Sequence, residues 1–310
     1  MSILRGAIFA RSLANVSARA YSTQAPAAKK ASNLPFYLLG AGAAVPQTKS
    51  PLDPEKFVDF KLKKIVPYNH NTSKFIFELP KDEASLLPVT SCVIIKSSNP
   101  EDLKDANGKP IIRPYTPISP PDAKGEFTFL VKRYDNGNAS KYIFTLKEGD
   151  TLAIKGPISK FPYQANEFDE VALIGGGSGI TPLYQLLDHA LADKSNKTKF
   201  TLLFSNVTEK DILLRDELDG LQKKHPEHFK LVYLLDKPEG KWDGPTGFIN
   251  PDIIKKYVAP ASLNDKVKVF VCGPPGQVAA VAGKKAGMKQ GELAGILKQL
   301  GYTEEQVFKF

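Results

Sequence analysis

The sequence predicts two domains of different architecture behind a basic leader: an antiparallel β-barrel or sandwich over residues 53–165, then a parallel α/β sheet over 166–310. Three observations carry this expectation. Between Phe57 and Tyr163, short strand-like runs are repeatedly broken by turn residues. After Phe168, wholly apolar strands alternate with helical spacing, the pattern of a sheet buried on both faces. Before Asp53 there is no acidic residue at all.

The leader comes first in chain order. Arg5, Arg11 and Arg19 are spaced among Ile3, Leu4, Ile8, Phe9, Leu13 and Val16, with several Ser and Ala. That is the composition of a mitochondrial presequence, whose basic amphipathic helix is drawn to anionic surfaces; a disordered basic tail is the alternative. The uncharged run Leu34 to Val45 is twelve positions long. A spanning helix needs about 20 apolar residues, so this run reads as a shallow anchor or an apolar linker.

In the first domain, Phe57–Ile65, Ser73–Leu79, Cys92–Lys96, Glu126–Tyr134 and Thr151–Lys155 alternate or run apolar over strand lengths. Pro67, Pro80, Pro88, Asn107-Gly108, Pro120-Pro121 and Gly149-Asp150 punctuate them. Many short strands imply antiparallel pairing. Gln164 to Phe168 is the expected junction. Beyond it, strands Val171–Ile174, Phe200–Ser205, Phe229–Leu235 and Val267–Cys272 alternate with helices expected at Pro182–Ala192, Asp211–Lys224, Gln277–Ala286 and Glu292–Leu300.

The net charge of +9 invites a nucleic-acid reading, but its distribution argues against one. Six of the 42 basic residues and none of the 33 acids fall in residues 1–52, which leaves 36 against 33 in the body. Cys92 and Cys272 stand 180 positions apart, so there is no disulfide framework and no C-x-x-C pair. His70, His189, His225 and His228 include no helical pair with ligand spacing, and no metal is expected. A G-x-S-x-G elbow and a Walker loop are both absent from the sequence.

Three motifs carry chemistry. Leu173-Ile-Gly-Gly-Gly-Ser-Gly-Ile-Thr-Pro182 ends a strand in glycines and opens a helix, leaving backbone amides free for phosphate. It departs from G-x-G-x-x-G because Pro182 stands at the third glycine position, where a first helical turn loses no donor. Arg113-Pro-Tyr-Thr-Pro-Ile-Ser119 offers a guanidinium fork for phosphate, a flat aromatic face and a hydroxyl on one extended segment, enough to grip both ends of a flavin nucleotide. A proline-stiffened edge strand is its purely structural reading. Val269-Phe-Val-Cys-Gly-Pro-Pro-Gly276 ends a late strand at the sheet edge where ligands sit, although a buried cysteine such as Cys272 is most often a core residue.

In this order the motifs resemble the ferredoxin-reductase-like flavoenzymes, and within them the fungal mitochondrial branch of the NADH-cytochrome b5 reductase family. The likeness runs over roughly residues 53–310 and includes Lys155-Gly-Pro157, Ser205 to Arg215, Trp242 to Phe248 and the ending Gln306 to Phe310. The resemblance implies a barrel that binds FAD and a second domain that binds NADH. It implies that Arg113, beside Pro114, holds the FAD pyrophosphate, that Tyr115 packs on the isoalloxazine and that Thr116 bonds near its N5. After a Lys-x-Tyr strand, here Lys132-Arg-Tyr134, the family places a phosphate-binding turn; the match is Gly137-Asn138-Ala139-Ser140, more basic in many animal relatives. Thr181, followed by Pro182, would approach the flavin from the second domain. Gly176, Gly177 and Gly179 would admit the nicotinamide and its pyrophosphate.

Asp211 matches the acid that accepts the adenosine ribose 2′-hydroxyl and repels a 2′-phosphate. Cys272, with Gly273 and Pro274, would lie near the transferring hydride, so that Thr116, Thr181 and Cys272 form the catalytic set. The resemblance further implies cytochrome b5, an acidic haem protein, as acceptor, a monomer, and a mitochondrial outer-membrane or intermembrane-space location with the leader on a membrane surface. Lysines 61, 63, 64, 284, 285 and 289 are then either solvated faces or a steering field for that partner. The rivals are a related reductase serving a quinone or a radical-recycling chain, and a non-catalytic nucleotide-binding scaffold.

Overall fold

Alternation of buried and exposed positions drives the first half of the chain into a six-stranded antiparallel sheet. The computed structural model describes residues 48–310; the leader and the run Leu34 to Val45 lie outside the described residues. Strands β1 (Val58–Asn69), β2 (Thr72–Glu78), β3 (Ser91–Ser97), β4 (Arg113–Tyr115), β5 (Glu126–Lys132) and β6 (Thr151–Ser159) lie in the order β4-β3-β6-β1-β2-β5. Phe75, Phe77, Phe127 and Phe129 all point into one core, with Phe127 and Phe129 edge to face at 5.1 Å. Each such ring contributes about 2–3 kcal/mol by leaving water. The two outer strands converge: the Ile118 N–H donates to the Thr128 carbonyl at 2.9 Å and the Thr128 N–H to Ser119 Oγ at 3.0 Å. The sheet thereby curls toward a barrel, and Pro114 and Pro117 sit on or just past its edge strand, where the missing donor is tolerated.

The second half forms a parallel sheet. Strands β7 (Glu170–Gly176), β8 (Lys199–Asn206), β9 (Phe229–Leu235), β10 (Val267–Cys272) and β11 (Val307–Lys309) are ordered β11-β10-β7-β8-β9. The chain moves outward from β7 to β9 and then returns on the far side of β7, so the crevice for ligands opens at the carboxyl ends of β7 and β10. Helices α2 (Ile180–Ala192) and α3 (Arg215–Lys224) cover one face, through Leu183, Leu187 and Leu218. Helices α4 (Pro251–Tyr257), α5 (Pro275–Ala282) and α6 (Gly295–Gln299) cover the other, through Ile254, Val281 and Leu297. Among the described residues no helix is long and apolar enough to cross a membrane.

Several boundaries differ from the sequence expectation. The helix expected from Asp211 starts only at Arg215, because Thr208 and Asp211 close a capping box on one tight turn and Leu214 then takes φ +54°. The helix expected over Gln277–Ala286 begins earlier, at Pro275, and ends at Ala282, followed by Gly283 at φ +85°. That expected over Glu292–Leu300 contracts to α6. Three short elements were not expected: α1 (Asn138–Ile143), α4, which Asn250 caps by accepting the Ile253 N–H at 3.0 Å, and β11. Each is under eight residues, too short for periodicity to register.

Candidate active site

The glycines after β7 exist to let two strand ends touch. Gly177 has φ +51°, which favours glycine. A Cβ on Gly179 would strike the Cys272 carbonyl, and one on Gly176 would strike the Gln277 amide and the Pro274 ring. The β7 turn therefore packs backbone to backbone on Cys272-Gly273-Pro274. Helix α2 continues directly from the tight turn Gly177–Gly179, whose Gly177 carbonyl already accepts the Ile180 N–H, so what the helix offers a phosphate is the positive end of its thirteen-residue dipole. Thr181 and Pro182 are buried in that first turn, and Thr181 Oγ1 donates to the Ser178 carbonyl at 3.4 Å. Burial pushes the Cys272 thiol up to about 12, so it is protonated at neutral pH.

The barrel supplies the facing wall. Arg113 and Pro114 are exposed on β4, the guanidinium holding only the neighbouring Ile112 carbonyl at 2.8 Å. The Tyr115 ring rests against Phe129 at 5.9 Å, and burial pushes its hydroxyl up to about 12. Thr116 is buried, and its hydroxyl has no partner among the described residues. The segment Gly137–Ser140 is not an isolated turn but the start of α1: Gly137 caps without a side chain, and the first intrahelical bond runs from the Lys141 N–H. The Asn138, Ala139 and Ser140 amides precede that bond and remain free of it. Ser140 Oγ holds the turn, accepting from the Tyr134 N–H at 3.2 Å and donating to the Gly137 carbonyl at 3.0 Å.

Two contacts tie the walls together. The Tyr134 hydroxyl meets Ser178 Oγ at 2.8 Å, joining the barrel to the glycine turn. Lys132 Nζ donates to Asp211 Oδ1 at 3.0 Å, while Asp211 Oδ2 accepts from the Thr208 N–H and hydroxyl at 3.1 and 2.9 Å. Burial acts to raise the Asp211 carboxyl, but the Lys132 and Thr208 bonds outweigh it and hold it below the ordinary carboxylate range. The structure thus gives Lys132 and Asp211, both expected to serve a nucleotide, to each other.

Other polar groups at the same edge escaped the sequence reading. Asn206 ends β8 buried, with neither amide atom partnered, and Gln277 Nε2 is likewise buried and unpartnered. Asp236 follows β9, its N–H bonded to the Asn206 carbonyl at 3.0 Å and its carboxyl bonded to no described residue. Phe248, downstream, is 82% exposed. An acid or amide placed directly after an apolar strand was the available signal. These orphaned groups and the positive end of α2 fit a dinucleotide; the exposed Arg113, the Tyr115 face and the free Thr116 hydroxyl fit a flavin.

Family models agree with this division: residues 59–163 match an oxidoreductase FAD-binding domain and residues 173–283 an oxidoreductase NAD-binding domain. The chain is 48% identical over 260 residues to "NADH-cytochrome b5 reductase 2" of Mycosarcoma maydis, covering 84% of this chain and 74% of that one. It is 42% identical over 311 residues to the protein of the same name from Aspergillus terreus, covering 94% and 95%. The chain belongs to the NADH-cytochrome b5 reductase family. Among solved structures, the cytochrome b5 reductase domain of Ulva prolifera nitrate reductase superposes with a TM-score of 0.71 at 27% identity, over 84% of this chain and 99% of that one. The NADH-cytochrome b5 reductase frame makes the β1–β6 sheet the FAD-binding domain and the β7–β11 sheet the NAD-binding domain.

Proposed function

We propose that this chain is an FAD-dependent NADH-cytochrome b5 reductase. The observation that carries the reading is the seam itself: the Tyr115-Thr116 wall of the barrel and the Gly176–Gly179 and Cys272 turns of the parallel sheet are locked together through Tyr134 and Ser178. When bound, FAD supplies the conversion of one hydride taken from NADH into single electrons for a haem protein. Arg113 and the first α1 amides would hold its pyrophosphate, Tyr115 would offer its ring face to the flavin, and Thr116 would offer it a hydroxyl. Gly176, Gly177, Gly179 and the positive end of α2 would receive the phosphates of NADH, and Thr181 and the protonated Cys272 would line its hydride end. Because the cofactors perform the chemistry, the protein's task is orientation and exclusion of water.

The acid at the adenosine ribose is best assigned to Asp236, since both Asp211 oxygens are already engaged. The relatives' name supports cytochrome b5 as acceptor. The acid-free leader supports delivery to mitochondria, with the outer membrane or intermembrane space as location and Leu34 to Val45 as surface anchor. The enzyme is proposed to act as a monomer. The test is NADH-driven reduction of purified cytochrome b5 by the FAD-reconstituted full chain. Rapid haem reduction is expected. Turnover with ferricyanide but not cytochrome b5 refutes the acceptor, and a chain without flavin absorbance refutes the enzyme.

A further inference from the structure

The segment after α5 has a build that the fold alone does not require. From Gly283 to Gly291 the chain leaves the body and turns back, with mutual Ala286 and Lys289 backbone bonds of 3.2 and 3.1 Å and Gly287 at φ +62° between them. Its base is firmly held. The Gln290 amide accepts the Lys309 N–H at 2.7 Å and donates to the Lys309 carbonyl at 3.0 Å. The Lys309 ammonium, 2% exposed, donates to the carbonyls of Ala282, Gly291 and Glu292 at 3.2, 3.3 and 3.0 Å.

At the tip of this clamped turn, Met288 is 75% exposed. Lys284, Lys285 and Lys289 flank it, and no acid occurs between Asp265 and Glu292. Among the described residues, none of these ammoniums, nor that of Lys160, lies within ion-pair distance of an acid. The turn is also close to the reacting edge. Lys285 Nζ donates to the Lys309 carbonyl at 3.1 Å, and the next residue, Phe310, bonds through its N–H to Val271, beside Cys272. Burial first, then the nearby Lys160 charge, holds the Lys285 ammonium below the ordinary lysine range, while Cys272 acts on it in the opposite sense.

An exposed methionine on a turn clamped at its base, ringed by lysines with no acid partner among the described residues, is the anatomy of a docking site: an adaptable apolar anchor inside a charged rim. We infer that the Lys284–Lys289 turn is a docking finger for the acidic, haem-bearing electron acceptor, seating it against the Cys272 edge. This rests on the reductase reading and names the partner surface of that site. A lipid surface suits the finger less well, because one methionine is a small apolar face for interfacial binding and the turn adjoins the reacting edge.

The experiment compares the FAD-loaded wild type with K284E/K289E and with M288D, measuring separately the bleaching of flavin by NADH and the steady-state reduction of cytochrome b5. At low salt both variants are expected to lose about tenfold in kcat/KM for cytochrome b5, and the gap for K284E/K289E closes as salt rises. Flavin bleaching is expected to stay within about twofold, which shows that the site is intact, and M288L restores turnover. Unchanged cytochrome b5 reduction in both variants at low salt overturns the finger. Loss of co-sedimentation with phosphatidylglycerol vesicles, alongside unchanged cytochrome b5 turnover, also overturns it and assigns the turn to lipid. A wild type that bleaches with NADH yet reduces no cytochrome b5 refutes the acceptor assignment instead.

Discussion

Lys132, the last residue of β5, donates to Asp211 across the boundary between the two sheets at 3.0 Å, with side chains only 12% and 8% exposed. His70 Nε2 approaches the same carboxylate at 3.6 Å. Lys132→Met leaves a charge in a nearly dry site and is expected to cost roughly 3 kcal/mol in urea unfolding, part of which Lys132→Met with Asp211→Leu recovers. A double variant no more stable than the single refutes the pairing.

The same carboxyl sets a pH dependence. Its folded-state proton affinity lies below the ordinary value of 3.8, so on acidification the unfolded chain takes the proton first. The contribution is complete above about pH 5 and falls away as the pH drops through 4. Asp211→Asn is expected to be less stable than the wild type at pH 7, with the difference shrinking toward pH 3. A constant difference between unfolding curves over that range argues against a titrating pair.

Gly179→Ala tests whether the two strand-end turns must touch. The added methyl meets the Cys272 carbonyl, backbone against backbone, with no flexible side chain to yield. Flavin content, set by the barrel, is expected to remain, while NADH bleaching of the flavin falls at least tenfold in stopped flow. Normal bleaching in this variant shows the contact to be dispensable.

Nucleotide choice separates two carboxylates. Asp236→Thr is expected to narrow the ratio of kcat/KM for NADH over NADPH by about tenfold or more, because its carboxyl is uncommitted at the sheet edge. Asp211→Thr is expected to lower stability with a smaller change in that ratio. The reverse pattern returns the selector role to Asp211.

Cys272 is half-buried against the glycine turn, and desolvation pushes its thiol up to about 12, so its thiolate fraction at neutral pH is on the order of a thousandfold below that of an ordinary thiol. Maleimide is expected to label the native protein far more slowly than the urea-unfolded protein, in which Cys92 and Cys272 both react. Rapid native labelling at Cys272 refutes its enclosure.

Periodicity and turn chemistry alone determined the two sheets, their antiparallel and parallel character and the glycine turn that opens α2, because each is a local pattern repeated along the chain. Arg113, Tyr115 and Thr116 were legible for the same reason: one short segment carries all three. What only the tertiary structure decided is how distant side chains spend their hydrogen bonds. Lys132 and Asp211, 79 positions apart, engage each other. Asp236 and Asn206 meet only because β8 and β9 end side by side. The Lys284–Lys289 turn reaches the Cys272 edge because Lys309 and Gln290 clamp it to β11. Spacing reveals what a segment can form, but burial and competition for partners between remote segments decide which groups remain free for a ligand.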